Sequence, residues 1–297
     1  MSVSHAVEAA LVRGIAAAAR ATGWRRGLAL GPGLGDAALA LGLRRDVAED
    51  NLARAFPEWN AEQRRHVLRE HYREVGRVAM EYPRLPELAR APWGEFVMRP
   101  EGLEHLERAR ELKRGVVMMT GHYGNFELMG AAIGKVVPVQ FLVRPLSNPR
   151  VDRWIVQGRL AAGVGVISAD TQVRRVYERL RENDVVAMVA DQDARRHGVF
   201  IPFLGRPAST ALGPVRVALA TGAPIVMAFI LRRPDGRHEI TVEPPFPREV
   251  RGAPDAVLQL TQMHVARVEA WVRRRPEHWL WLHRRWKTPP PALAAAA

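Results

Sequence analysis

The chain has 297 residues, 47% hydrophobic and 25% charged, an ordinary globular composition that excludes a disordered or collagen-like protein. There is no cysteine, so disulfides, thiolate metal sites and a cysteine nucleophile are excluded as well. The net charge is +13, carried by 41 Arg and only 3 Lys, and it implies an acidic partner: nucleic acid, anionic lipid head groups or an acidic carrier protein.

Residues 1–90 read as helical. Met1 to Ala21, with Glu8, Arg13 and Arg20 spread through it, reads as an Ala-rich amphipathic helix rather than a signal peptide, which would place charges first and an unbroken apolar run after them. Gly27 to Leu43 is apolar but interrupted by Gly31-Pro32-Gly33 and Asp36, too short and too broken to span a bilayer, which takes about 20 apolar residues. Any attachment to a membrane would then be at its surface. Asn60 predicts the start of a helix ending near Tyr82, with Leu68, Tyr72, Val75, Ala79 and Tyr82 on one face and Pro83 and Pro86 to stop it.

From about residue 95 the texture changes. The apolar runs Val116–Met119, Val139–Val143 and Val164–Ile167 are followed by helical patterns near 125–134, 149–161 and 171–181, and Val185–Ala190 is a fourth run. A helix near 211–220 precedes Pro224–Leu231, Glu239–Val242 is a further strand, and a long helix covers 254–274. Unbroken apolar strands alternating with helices predict an α/β fold with a mostly parallel central sheet flanked by helices, and an N-terminal helical region. The expected organisation is a helical region over 1–90, an α/β domain over 91–288 and a disordered Pro/Ala-rich tail over 289–297.

The stretch Thr120-Gly121-His122-Tyr123-Gly124-Asn125-Phe126-Glu127 carries the most chemistry. It follows a buried strand and opens a helix, the place where open α/β sheets put their sites. Within one helix a spacing of five puts two side chains about 140° apart, so His122 and Glu127 meet only if His122 sits on the turn and Glu127 in the first helical turn. A carboxylate on one imidazole nitrogen leaves the other free as a base; the competing role is a polar pair that caps the helix. Asn125 is read first as a cap. Asp191 and Gln192 follow another apolar strand, and the same logic places them on the site or in a structural role. Neither a Gly-x-Ser-x-Gly elbow nor a His-Glu-x-x-His pair is present, which argues against a serine lipase and a zinc site, and no cofactor is expected. Between 273 and 287, Arg273, Arg274, Arg275, Arg284, Arg285 and Lys287 interleave with Trp279, Trp281 and Trp286. That mixture suits a membrane interface, single-stranded nucleic acid or packing of the chain end, with Trp279 and Trp281 read first as packing.

Gly121–Glu127 resembles the His-x4-Asp/Glu block of the lysophospholipid acyltransferase superfamily. Val47–Glu58, Val143-Arg144-Pro145 with Asn148-Pro149, Asp191-Gln192 with Gly198–Gly205, Thr221–Pro224 and Pro276–Lys287 are similar, in order, to blocks of its bacterial lipid A biosynthesis (lauroyl/myristoyl) acyltransferase branch. Members of that branch usually begin with a transmembrane helix, and this sequence shows none. The resemblance implies transfer of an acyl chain from a thioester, acyl-carrier protein or coenzyme A, to a hydroxyl of a glycolipid such as a lipid A precursor. Mannosylated phosphatidylinositol and lysophospholipid are the alternative acceptors. It implies His122 as general base with Glu127 orienting it. Arg144 and backbone N–H groups around Gly124 are the candidate oxyanion donors, Arg144 being otherwise a surface or structural ion pair. Phe203, Leu204 and Gly205 fall in the block that would line an acyl groove, or else in the core. Arg195, Arg196 and Arg206 would hold acceptor phosphates or form a solvated face, and Arg284 and Arg285 would meet an anionic membrane. The implied location is peripheral, on the cytoplasmic face of the inner membrane. A non-catalytic lipid- or nucleic-acid-binding protein is the competing class; it explains the charge but not the His122 turn.

Overall fold

In a computed structural model that describes residues 3–291, the chain opens with four helices: α1 (Val3–Ala40), α2 (Arg45–Ala55), α3 (Ala61–Glu81) and α4 (Leu85–Arg90). From residue 292 on, the tail expected to be disordered lies outside the described residues. α3 begins at the predicted cap. The Asn60 side chain accepts from the Gln63 N–H at 2.9 Å and the Gln63 side chain accepts from the Asn60 N–H at 2.8 Å, so two otherwise unpaired donors are satisfied together.

α1 differs from the expectation. Its break falls at Gly23 (φ 72°, ψ 166°), and the stretch read as interrupted continues as helix through Pro32. Contact with α3 explains the difference. A Cβ on Gly35 would lie 2.0 Å from the Tyr72 carbonyl oxygen, and one on Gly76 2.1 Å from that of Gly31. Glycine at these positions lets two helix backbones touch, and Asp36 adds an ion pair to Arg73 at 3.0 Å. Residues that look like helix breakers in isolation are here the contact surface. Among the described residues no helix is long and apolar enough to cross a membrane.

The chain continues through α5 (Leu103–Glu111), β1 (Val116–Thr120), α6 (Phe126–Ile133), β2 (Val139–Val143), α7 (Pro149–Ala161), β3 (Gly165–Ser168), α8 (Val173–Arg181) and β4 (Val185–Val189). After these come β5 (Val199–Phe203), β6 (Arg206–Thr210), α9 (Gly213–Thr221), β7 (Ile225–Arg232), β8 (His238–Val242) and α10 (Ala256–Arg274). Six strands form one sheet in the order β3-β2-β4-β1-β7-β8, parallel except for β8. This is the mostly parallel α/β sheet that the alternating pattern predicts. Its strands are apolar throughout because both faces are covered: Val117 and Met119 of β1 enter one core, Val116 and Met118 the other. The Gly198–Gly205 stretch is mostly β5, which pairs antiparallel with β6. Leu204 (φ 50°) and Gly205 (φ 75°) make the tight turn between them.

Register sets the site. In the parallel pair β1–β4, Thr120 lies beside Val189. The residues two beyond each, His122 and Asp191, therefore leave the sheet side by side at its carboxyl edge.

Candidate active site

His122 and Asp191 meet as that register requires. The imidazole Nδ1 lies 2.6 Å from Asp191 Oδ1. The His122 backbone N–H donates to Asp191 Oδ2 at 2.8 Å, and the Trp279 indole N–H donates to the same oxygen at 2.8 Å. Burial alone would raise the pKa of Asp191, but the charge and hydrogen bonds of His122 and the bond from Trp279 outweigh it and hold the carboxyl below the ordinary range. An ionised Asp191 accepts only, so the proton of a neutral His122 sits on Nδ1. Nε2 is then unprotonated, with the Gln192 side-chain nitrogen 3.3 Å away. The His122 side chain is 20% exposed, with Phe126 edge-on to the ring at 5.2 Å. An oriented imidazole with one basic nitrogen open to a ligand can take a proton from a hydroxyl.

Glu127, expected to orient His122, faces α7 instead. Arg159 Nη2 lies 2.5 Å from Glu127 Oε1 and Arg159 Nε 3.0 Å from Oε2, a largely buried bidentate pair. The cap of α6 explains the correction. Asn125 Oδ1 accepts from the Leu128 N–H at 3.0 Å, which starts the helix after the turn and leaves Glu127 in its first turn, bonded across to α7. Asn125 itself is buried, and its amide donates to Glu81 Oε2 at 2.9 Å, so it holds the turn rather than lining the site. Gly124 has φ 56°, and a Cβ there would lie 2.4 Å from the Ile230 carbonyl oxygen. Its N–H donates to the His278 carbonyl at 2.8 Å and is not free for an oxyanion, contrary to expectation.

The remaining candidates divide. Gln192 is at the site. Arg144 is exposed at the carboxyl end of β2, two strands from β1, about 10 Å at ordinary strand spacing. Phe203 is 2% exposed and packs on Trp279 at 5.3 Å and on Trp286 at 6.0 Å, a core residue and not a groove wall. Gly205 is exposed at the hairpin tip, with Arg195, Arg196 and Arg206 exposed on the same excursion. Arg284 is exposed, 3.5 Å from Asp46. Arg285 is a correction: only 1% exposed, it donates to the Ser209 carbonyl at 2.5 Å and to Thr210 Oγ1 at 2.8 Å, and burial pulls its pKa down to about 10. It ties the hairpin to the chain end and cannot touch a membrane. Trp279 and Trp281 are buried, as the packing reading expects.

Several supporting residues escape sequence reasoning. The Leu280 N–H donates to the His122 carbonyl at 3.0 Å, and Asn51 of α2 clamps the Trp281 and His283 carbonyls at 2.7 and 2.6 Å. Behind the turn, buried Arg232 of β7 meets Glu74 at 2.9 Å and Glu81 at 2.5 Å, and Glu81 passes the restraint on to Asn125. Apart from Glu81 and Asn125, which are 44 residues apart, these partners lie 151 to 232 residues apart, and no local pattern marks them. Asp191 did carry a signal, an apolar strand ending in an acid. Among the described residues no group of three His, Asp or Glu is placed to hold a metal ion.

The family model for bacterial lipid A biosynthesis acyltransferase matches residues 2–288. The lipid A biosynthesis lauroyltransferase of Escherichia coli K12 is 30% identical over 88% of this chain and 85% of its own length. The lipid A biosynthesis palmitoleoyltransferase of the same strain is 28% identical over 83% and 80%. A phosphatidylinositol mannoside acyltransferase of Mycolicibacterium smegmatis is 26% identical over 80% and 77%. A solved 1-acyl-sn-glycerophosphate acyltransferase from Thermotoga maritima covers 84% of this chain and 98% of its own at 13% identity, with a TM-score of 0.39, too loose a likeness to add to the family match.

Proposed function

The chain belongs to the bacterial lipid A biosynthesis acyltransferase family and is an acyltransferase, and from that premise we propose that it moves a fatty acyl chain from an acyl-carrier-protein thioester to a hydroxyl of a lipid A-like glycolipid, with His122 as the base and Asp191 orienting it. The observation that carries the mechanism is the buried, ionised Asp191 on Nδ1 of a half-open histidine. The acceptor hydroxyl gives its proton to His122 Nε2 as its oxygen attacks the thioester carbonyl. Asp191 stabilises the imidazolium that forms. The tetrahedral intermediate collapses, the C–S bond breaks, and the leaving sulfur takes the proton back from Nε2. In this reading the Gln192 amide, beside Nε2, and Arg144, brought in from two strands away, donate to the oxyanion.

The donor protein is acidic by the same reasoning that reads the +13 charge as a partner signal. The mycobacterial relative favours a second acceptor, a phosphatidylinositol mannoside; in this second reading the donor is coenzyme A. Attachment is peripheral in this reading, at the cytoplasmic face of the inner membrane. Exposed Val7 and Leu11 of α1 and Leu146 beside Arg144 supply apolar contact. Asn148 fastens α1 next to them through the His5 carbonyl at 2.9 Å and Glu8 at 2.8 Å. Binding to anionic liposomes that weakens with salt supports this attachment, and absence of binding removes it.

The test is mass spectrometry of the products from each donor with each acceptor. His122→Ala should give no product from a chain that still melts cooperatively, at a temperature lowered by the loss of Asp191's partner; product at the parental rate rules the mechanism out.

A further inference from the structure

The amino edge of the sheet holds a basin of about 430 Å³ on the side opposite His122. Arg108 and His105 of α5, Arg114 ahead of β1, and Arg248 and Arg251 beyond β8 line it, and no carboxylate does. Its apolar wall includes Pro224 and Phe246. Elsewhere on the surface several arginines pair with nearby acids, as in Arg45–Glu49, Arg54–Asp50, Arg179–Glu182 and Arg273–Glu269. Here the basic groups converge on one another. Arg108 donates to His105 Nδ1 at 2.9 Å, and Arg251 donates to the Ala223 carbonyl at 2.5 Å. The buried Nε of Arg251 has no partner. Burial and the charge of Arg248 pull Arg251 below its usual pKa, the sign expected of a cation held without its counter-ion.

We propose that this basin is a binding site for a soluble organic phosphate, with the phosphate held by the guanidinium groups and the apolar part of the molecule laid on Pro224 and Phe246. Guanidinium forks match phosphate oxygens in bidentate geometry, and a concave wall of one sign strengthens the attraction. The five residues of β1, about 16 Å at ~3.3 Å per residue, separate the basin from the edge that carries His122. A bilayer seated against that edge does not reach it, which favours a ligand from solution over a lipid head group. The inference stands apart from the acyl-transfer reading, since it uses none of its residues.

Calorimetric titration of the full-length protein with phenyl phosphate and with inorganic phosphate at low salt tests it. One site is expected, tighter for phenyl phosphate because of the apolar wall. Arg108→Ser with Arg248→Ser, both exposed positions, should weaken phenyl phosphate binding by about tenfold or more at an unchanged melting temperature, the loss of two charge-assisted contacts. Arg195→Ser with Arg196→Ser, on the β5–β6 excursion, should leave it unchanged. No binding, equal loss in both double variants, or dependence on Arg108 and Arg248 seen only with phosphatidic acid vesicles would overturn the proposal.

Discussion

Two carboxylates compete to orient His122, one five residues along the same turn and one on the neighbouring strand, and the geometry gives the position to Asp191. Both strand ends were legible in the sequence, as apolar runs closing on His122 and on Asp191-Gln192. Their pairing was not, because β1 and β4 are neighbours only after two intervening strands have been placed elsewhere in the sheet. Glu127 looked like the partner because sequence distance stood in for spatial distance. Its contact with Arg159 makes a different prediction. Glu127→Ala leaves a largely buried guanidinium unpaired, and urea unfolding should show a loss of about 3–5 kcal/mol. A loss below ~1 kcal/mol, the worth of an exposed pair, would contradict that role.

Among the elements, those with local signals came through: the Asn60 cap of α3, the apolar strands and the helix α10. Those decided by distant contact did not. α1 stays helical through Pro32 because its glycines meet α3. The turn that carries His122 depends on elements in the same way. Gly124 sits against the backbone of β7 in a left-handed conformation, and the chain-end carbonyl of His278 holds its N–H. Gly124→Ala should therefore cost about 2 kcal/mol or more from the backbone and the clash together, and it should lower turnover by displacing His122. A fully active variant of parental stability would show that the turn is not so constrained.

For the molecule as a whole, the charge excess stays with the outer residues, since Arg159 and Arg232, used inside, are matched there by Glu127, Glu74 and Glu81. Two buried histidines also tie global stability to pH. His71 and His264 are 2% and 1% exposed, and burial lowers each to a pKa of about 4. In the unfolded chain the same rings take a proton near pH 6.5. Stability should thus be flat above pH 6.5 and fall as pH drops from there towards 4, by about 2 kcal/mol per histidine at pH 5. The carboxyls of Asp191 and Glu81, held low in the fold, add their loss only below about pH 4. Urea midpoints measured from pH 7.5 to 5 check this, and a flat profile would contradict it.

The catalytic claim rests on Asp191, and Asp191→Asn keeps the side chain's shape while removing its charge. Acyl transfer from a thioester to a lipid A precursor should lose about 10³-fold or more in kcat in that variant, because the amide no longer stabilises the imidazolium or fixes its tautomer. KM should change little. Turnover near the parental value, in a protein that still melts cooperatively, would contradict the assignment of His122 and Asp191 as the reacting pair.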